Sequence, residues 1–300
     1  MFEEQIETLT DKDAPFPGTI VYGGFLFPSF LKSCLFDVRN FAVRDDDVFV
    51  VSYPKSGTTW MQEIVYLIQK GAHAEPDCNM EDRFPYLEYP YPGIKEIAKK
   101  EGPRLIKSHM PYTLLPTDVR ANKGKIIYVM RNPKDSMVSF YFFARMLTEV
   151  NYRGTFKEFF QLNLDNKVAY GPWWNHIASF YLHRDDENIL IISYEDMHKN
   201  IVDVIGKVAE FLGKPLNDQE KLTVAARTSF KNMAKNPNTN YSWWMTYGIT
   251  NKDESQFFRK GKVGDWQNYF DKEMSEKVDD IVKKYLEPLG CKFTYKIDKW

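Results

Sequence analysis

What the chain lacks narrows the reading first. It has only three cysteines, Cys34, Cys78 and Cys291, scattered and odd in number, so no disulfide framework is expected and a reducing compartment fits. There is no Cys-x-x-Cys pair, and the five histidines (His73, His109, His176, His183 and His198) stand at no metal-ligand spacing, so no metal site is expected. Positive charge is not in excess: 40 Lys and Arg against 41 Asp and Glu give a formal charge of −1. No global field draws in nucleic acid, and any anion site must be local. No apolar run reaches the roughly 18 residues of a membrane-spanning helix, so no membrane partner is expected. Met1-Phe2-Glu3-Glu4-Gln5 offers neither a basic nor an apolar region of a secretory signal. A cytoplasmic location is expected, and Asn240-Tyr241-Ser242 reads as a chance glycosylation sequon. Repeats, low-complexity tracts and long linkers are missing too.

What is present is enough apolar sequence for a sizeable core. Hydrophobic residues make up 43% of the 300, and aromatics 16%. That length suits one large α/β domain or two small ones. The unbroken β-branched run from Asp47 to Tyr53 predicts a strand buried on both faces. Further strands are predicted at Arg104 to Ser108, Lys125 to Met130 and Asn188 to Ser193. Helices are predicted over Thr58 to Lys70, from Pro133 onward, and over Thr155–Asp165, Pro172–His183, Ile201–Leu212 and Glu273–Leu289. Strands alternating with helices argue for an α/β fold around a central parallel sheet. Asn236 to Gly264 lacks a clean period and reads as a long functional loop.

The strongest local signal is Tyr53-Pro54-Lys55-Ser56-Gly57-Thr58-Thr59-Trp60, between a buried strand and a helix. Ser56 to Thr59 would present backbone N–H groups at a helix N-terminus, where an anion is favoured. Gly57 permits close approach, the hydroxyls of Ser56, Thr58 and Thr59 add donors, and Lys55 supplies a point charge. The order departs from the triphosphatase P-loop, since Lys55 precedes Gly57 and Ser52 stands where the first glycine belongs. The plain alternative is a strand–helix turn with a Ser/Thr cap, which needs neither Lys55 nor Gly57.

This loop resembles the 5′-phosphosulfate loop of the cytosolic sulfotransferases. Further elements resemble that family in order: Lys107-Ser108-His109; Arg131-Asn132-Pro133-Lys134-Asp135 with Ser139; Tyr194-Glu195-Asp196-Met197; Thr228-Ser229-Phe230; and Arg259-Lys260-Gly261 leading to Gly264-Asp265-Trp266. Leu87-Glu88-Tyr89-Pro90 and Tyr152 to Phe156 also look like its brain-type branch. The resemblance implies one domain over 1–300, its motifs within about 20–295, with a P-loop-like phosphosulfate loop. It implies sulfuryl transfer from 3′-phosphoadenosine 5′-phosphosulfate (PAPS), leaving 3′-phosphoadenosine 5′-phosphate (PAP). The acceptor would be a hydroxyl or amine of a small molecule.

The roles follow from the resemblance. His109, at the end of a predicted strand, would be the general base, its ordinary pKa of about 6.5 suiting that work. Lys55 would stabilise the leaving phosphate, and Lys107, two residues from His109 on the same strand face, would touch the sulfuryl oxygens. Ser139 would bind the 3′-phosphate and restrain Lys55. Arg131, Arg259, Lys260 and the Gly261 backbone would complete the 3′-phosphate pocket. Trp60 and Phe230 would stack on adenine, with Tyr194 and Thr228 as polar contacts. Leu31, Tyr86, Tyr89, Phe143, Tyr170 and the stretch near Trp243 to Tyr247 would line the acceptor pocket. Each residue alone has a plainer reading: a satisfied histidine, a solvated lysine, a core aromatic. Lys134 keeps the solvated reading. The family's dimer motif is altered, with Gln267 in place of Lys and Asp271-Lys272 in place of Thr-Val, although Glu276 remains. A monomer or weak homodimer is expected. The competing readings are a P-loop kinase and a nucleotide-binding protein without turnover.

Overall fold

Four short apolar strands build the centre of the computed structural model, which describes residues 7–9 and 18–297. The Met1–Gln5 stretch lies outside the described residues. The strands are β4 (Val48–Val51), β5 (Leu105–Ser108), β6 (Lys125–Met130) and β7 (Ile189–Ser193). All pair in parallel, in the order β5-β4-β6-β7. Residues 85–87 extend this sheet beyond β5: Lys107 N–H donates to Pro85 O, and Leu87 N–H to Lys107 O. A smaller antiparallel sheet, β1 (Glu7–Leu9), β2 (Thr19–Tyr22) and β3 (Phe25–Pro28), precedes it. Gly23 and Gly24, at φ 58° and 80°, make the left-handed two-residue turn between β2 and β3.

Strand periodicity splits the core into two halves. Val48 and Val50 face one side with Ile127 and Val129. Phe49 and Val51 face the other with Ile126, Tyr128 and Met130. The first side packs on α1 (Thr58–Lys70), α5 (Ile201–Phe211) and α6 (Asp218–Arg227), through Met61, Ile64, Ile205, Val208 and Val224. The second packs on α2 (Pro133–Met146), α3 (Phe156–Leu164), α4 (Trp173–Tyr181) and α7 (Lys272–Tyr285). A sheet covered on both faces needs no polar side, hence the unbroken apolar strands. Helix ends are capped as their sequences dictate. Asn132 accepts the Asp135 N–H before Pro133, and Thr155 and Glu158 form a capping box.

The sheet also decides where a ligand can bind. β4 lies between β5 and β6, so successive connections leave it in opposite directions. In open α/β sheets such a switch point opens a crevice at the strands' carboxyl ends. Four of the sequence elements singled out above stand at those ends: the Lys55 loop after β4, His109 after β5, Arg131 after β6 and Tyr194 after β7.

Four predicted strands and six predicted helices are present, with ends differing by at most a few residues. The N-terminal sheet, α6 and the short helices Tyr194–Lys199 and Phe230–Lys235 were not anticipated. In α6 only Val224 is buried, so its sequence carries little apolar period. Within Asn236–Gly264, Trp243–Thr246 forms one helical turn.

Candidate active site

The Lys55 loop turns sharply. Lys55 takes φ 68°, unusual for a residue with a Cβ, and Gly57 takes φ 104°. A Cβ on Gly57 would stand 2.6 Å from Tyr194 Cδ2, so glycine lets the loop lie against the residue after β7. The loop opens into α1, and Thr58 Oγ1 contacts Ser52 Oγ at 2.6 Å. Above it lies a cavity of about 810 Å³. Lys55, Gly57, Thr58, Thr59 and Trp60 line it, together with Lys107, His109, Arg131, Ser139, Tyr194, Thr228, Phe230, Arg259, Lys260 and Gly261. Ser56 is 2% exposed and is not among the lining residues.

His109 is fixed from several directions. Its Nδ1 is 2.7 Å from Ser52 O. A carbonyl only accepts, so the proton sits on Nδ1 and Nε2 keeps its lone pair. Nε2 is 3.5 Å from the Tyr86 hydroxyl, within the cavity lining. The His109 backbone N–H donates to Glu88 Oε1 at 2.8 Å, and His109 O accepts from His176 Nε2 at 2.9 Å. His176 Nδ1 in turn accepts a hydrogen bond from the Tyr128 hydroxyl at 3.0 Å. Burial, then the Lys107 charge, hold the His109 pKa well below its ordinary value, so the imidazole is neutral near pH 7. Burial also lifts the Glu88 carboxyl to about 7 and lowers His176 to about 4.

The cations share one enclosure. Lys55 Nζ lies 4.2 Å and 4.1 Å from the ring centres of Phe143 and Phe257, and Lys107 Nζ lies 3.9 Å from that of Tyr86. Burial, reinforced by Lys107, Arg131 and Arg259, pushes Lys55 down to about 7; burial pushes Lys107 down to about 8. Arg131 spans two segments, donating to Lys55 O and to Lys262 O at 3.0 Å each, with its guanidinium 4.2 Å over the Tyr194 ring. Arg259 and Lys260 both reach Asp265, at 2.6 and 2.7 Å. A Cβ on Gly261 would stand 2.1 Å from Phe230 Cδ2, so that glycine permits backbone against ring. The buried Arg131 Nε and Trp60 Nε1 have no hydrogen-bond acceptor. Unspent donors, converging cations and a helix N-terminus fit a phosphate-bearing nucleotide.

Two readings change. Leu31 is fully buried in the core; the turn Ser29–Leu31 points Leu31 inward, and Phe30 lines the cavity instead, edge-on to Tyr89 at 5.4 Å. Lys134 is not solvated. It is 2% exposed, bonded to Ser275 Oγ and Asp279, and covered by the Trp266 and Tyr295 rings. Tyr86, Tyr89, Phe143 and Tyr170 line the cavity, as does Trp244, whereas Tyr247 is 74% exposed. Phe257 and Phe258, from the aperiodic stretch, and His198 also line it and were not singled out. Neither were Ser52, whose backbone carbonyl holds the His109 ring, nor Glu88 and His176, which hold the His109 backbone N–H and carbonyl. Among the described residues no cluster of His, Cys, Asp and Glu suits a metal. No described helix is long and apolar enough to cross a membrane.

A parallel sheet with a lysine-bearing glycine turn and a cation-rich cavity at its switch point fits nucleotide-dependent group transfer. Residues 45–290 match the sulfotransferase domain. Sulfotransferase 4A1 of Homo sapiens is 37% identical over 278 residues, covering 91% of this chain and 92% of that protein. Amine sulfotransferase of Oryctolagus cuniculus is 39% identical over 262 residues, covering 86% and 87%. The structure of retinol dehydratase in complex with androsterone and the inactive cofactor PAP superposes with a TM-score of 0.87 at 25% identity, covering 98% and 99% of the two chains. The chain belongs to the sulfotransferase family and is a PAPS-dependent enzyme.

Proposed function

We propose that the enzyme moves a sulfuryl group from PAPS to a hydroxyl or amine of a small acceptor in the cytoplasm, with His109 as general base. One observation carries this most: the Ser52 carbonyl fixes the Nδ1–H tautomer of His109, leaving the Nε2 lone pair beside the Tyr86 hydroxyl in the cavity that Lys55 and Lys107 also line. The acceptor proton passes to Nε2 as its oxygen or nitrogen forms the new bond to sulfur. The bond from sulfur to the bridging oxygen breaks, and PAP leaves. Lys55 meets the charge that grows on that oxygen, and Lys107 the charge spread over the sulfuryl oxygens. Lys55, Gly57, Thr58 and Thr59, with the Ser56 N–H, hold the 5′-phosphosulfate. Arg131, Ser139, Arg259, Lys260 and the Gly261 backbone hold the 3′-phosphate. Trp60 and Phe230 stack on adenine, with Tyr194 and Thr228 beside it. Tyr86, Tyr89, Phe143 and Tyr170 enclose the acceptor. The names of the amine sulfotransferase and of the androsterone complex support small amines and alcohols as the acceptor range.

His109→Ala is expected to abolish transfer from labelled PAPS across a panel of phenols, catecholamines and steroids. PAP affinity should stay within about threefold, since the histidine meets no nucleotide atom in this scheme. Turnover at the wild-type rate in His109→Ala would remove it from the mechanism.

A further inference from the structure

The cavity is divided by charge. Lys55, Arg131, Arg259 and Lys260 crowd its donor half, whereas the tyrosine-walled half carries the carboxylates Glu81 and Glu149 beside a single ammonium, Lys107, which lies over the Tyr86 ring. Glu81 has a fixed posture. It belongs to the short helix Met80–Arg83, and its Oε2 accepts the indole N–H groups of both Trp243 and Trp244, each at 3.0 Å. These donors are neutral, so they orient the carboxylate without cancelling its charge. They use two of its roughly four lone-pair positions and leave the other oxygen for a ligand. Burial raises the pKa of the Tyr86 and Tyr89 hydroxyls and the Glu81 charge adds to it; at Lys107, which burial lowers, the Glu81 charge acts in the opposite direction.

A carboxylate held this way in an aromatic enclosure rewards a cation and repels an anion. A cation docked there gains the carboxylate and the aromatic lining around it, including Tyr86, Tyr89 and Trp244. An acceptor bearing its own carboxylate meets like charge with little water to screen it.

We infer that Glu81 is a specificity-determining residue that receives the protonated amine of a hydroxyl-bearing aralkyl amine while the hydroxyl of that acceptor is presented to His109. The inference rests on the sulfuryl-transfer reading. The ammonium takes no part in the chemistry; it stays charged, and only the hydroxyl is sulfated.

The test uses matched phenols that differ at one end: tyramine (cationic), 4-propylphenol (neutral) and 3-(4-hydroxyphenyl)propionate (anionic). Two readouts are taken on the full chain: kcat/KM with PAPS, and binding to the PAP-loaded protein by calorimetry. Wild type is expected to favour tyramine over 4-propylphenol by about tenfold, the size of one charge-assisted contact, and to disfavour the propionate. In Glu81→Gln, whose amide oxygen still accepts from both indoles, the ratio of tyramine to 4-propylphenol should fall to near one. PAP affinity reports whether that variant is folded. If it is not, Glu81→Asp, which withdraws the charge by one methylene, should give an intermediate ratio. Equal or reversed preference in wild type overturns the inference, and so does an undiminished preference in the folded variant. A binding preference without any transfer from PAPS would instead defeat the sulfuryl-transfer reading and leave the assignment of Glu81 intact.

Discussion

Lys55 shows how one residue can carry both strain and charge. Its backbone sits at φ 68°, and its ammonium is buried beside Lys107, Arg131 and Arg259. Burial and like charges lower its pKa to about 7, so near neutral pH the nucleotide-free enzyme holds this lysine partly uncharged. A bound 5′-phosphate leaves the lysine buried but opposes the like charges. It brings negative charge within reach and raises the pKa, so the complex binds more protons than the free enzyme between about 7 and the higher bound value. PAP binding should therefore take up protons above pH 7, and affinity should fall as pH rises through the free-enzyme pKa of Lys55, about 7. Calorimetry at pH 8 in buffers of different ionisation enthalpy measures this directly. An uptake approaching one proton is expected, and proton release would contradict the assignment of Lys55 to the phosphate. The His109 pKa is also lowered, but here the sign protects activity: the neutral base persists as pH falls, so the acid limb of the rate profile should lie well below pH 6.5. At this scale the sequence was legible where a residue follows a strand end, as His109 and Arg131 do. It was silent on Ser52 and His176, whose work is done through a backbone carbonyl.

Arg131 connects elements as well as lining the cavity. Its fork joins the loop after β4, at Lys55 O, to the segment before Trp266, at Lys262 O. Asp135 strengthens the same junction, accepting from the Gly264 and Trp266 backbone N–H groups at 2.7 and 2.9 Å. A residue that reads the 3′-phosphate and one that only braces two loops lose affinity differently when truncated. The reader loses about ten- to a hundredfold for PAP, from one or two charge-assisted bonds, and little for adenosine 5′-phosphate, which lacks the 3′ group. The brace loses similarly for both nucleotides. Calorimetry on wild type and Arg131→Ala with both ligands closes a cycle that isolates the pairwise contribution. A selective loss for PAP is expected, and equal losses would reduce Arg131 to the brace. The elements themselves were legible where burial sets a period. α1 shows this, with Met61, Ile64, Val65 and Ile68 on one face of a 13-residue helix. They were not legible where packing is one-sided and sparse, as in α6.

For the whole molecule, the open question with a physical handle is self-association. In the family resemblance the dimer motif falls between Gln267 and Glu276, and here that segment is polar and internally satisfied. Gln267, Asp271, Lys272 and Glu276 are all exposed. Asp271 spends its carboxylate on the Met274 N–H at 2.8 Å, capping α7. Lys272 lies 3.7 Å from Glu276 and Lys277 2.8 Å from Glu273, both one turn apart along the same helix. Exposed pairs of this kind contribute only about 0.3–0.5 kcal/mol each, but a partner must displace or desolvate them to dock. The buried residues on this helix, Met274, Val278 and Val282, face the core and offer a partner nothing. A stable homodimer usually buries about 800 Å² per partner around an apolar centre, and the exposed side chains of this segment supply no such centre. The chain is expected to sediment as a monomer at micromolar concentration. Exchanging Asp271 and Lys272 for Thr and Val, with Gln267→Lys, restores the family pattern and should shift the equilibrium toward dimer. A nanomolar dimer of the wild-type chain that disappears when this segment is altered would overturn the expectation.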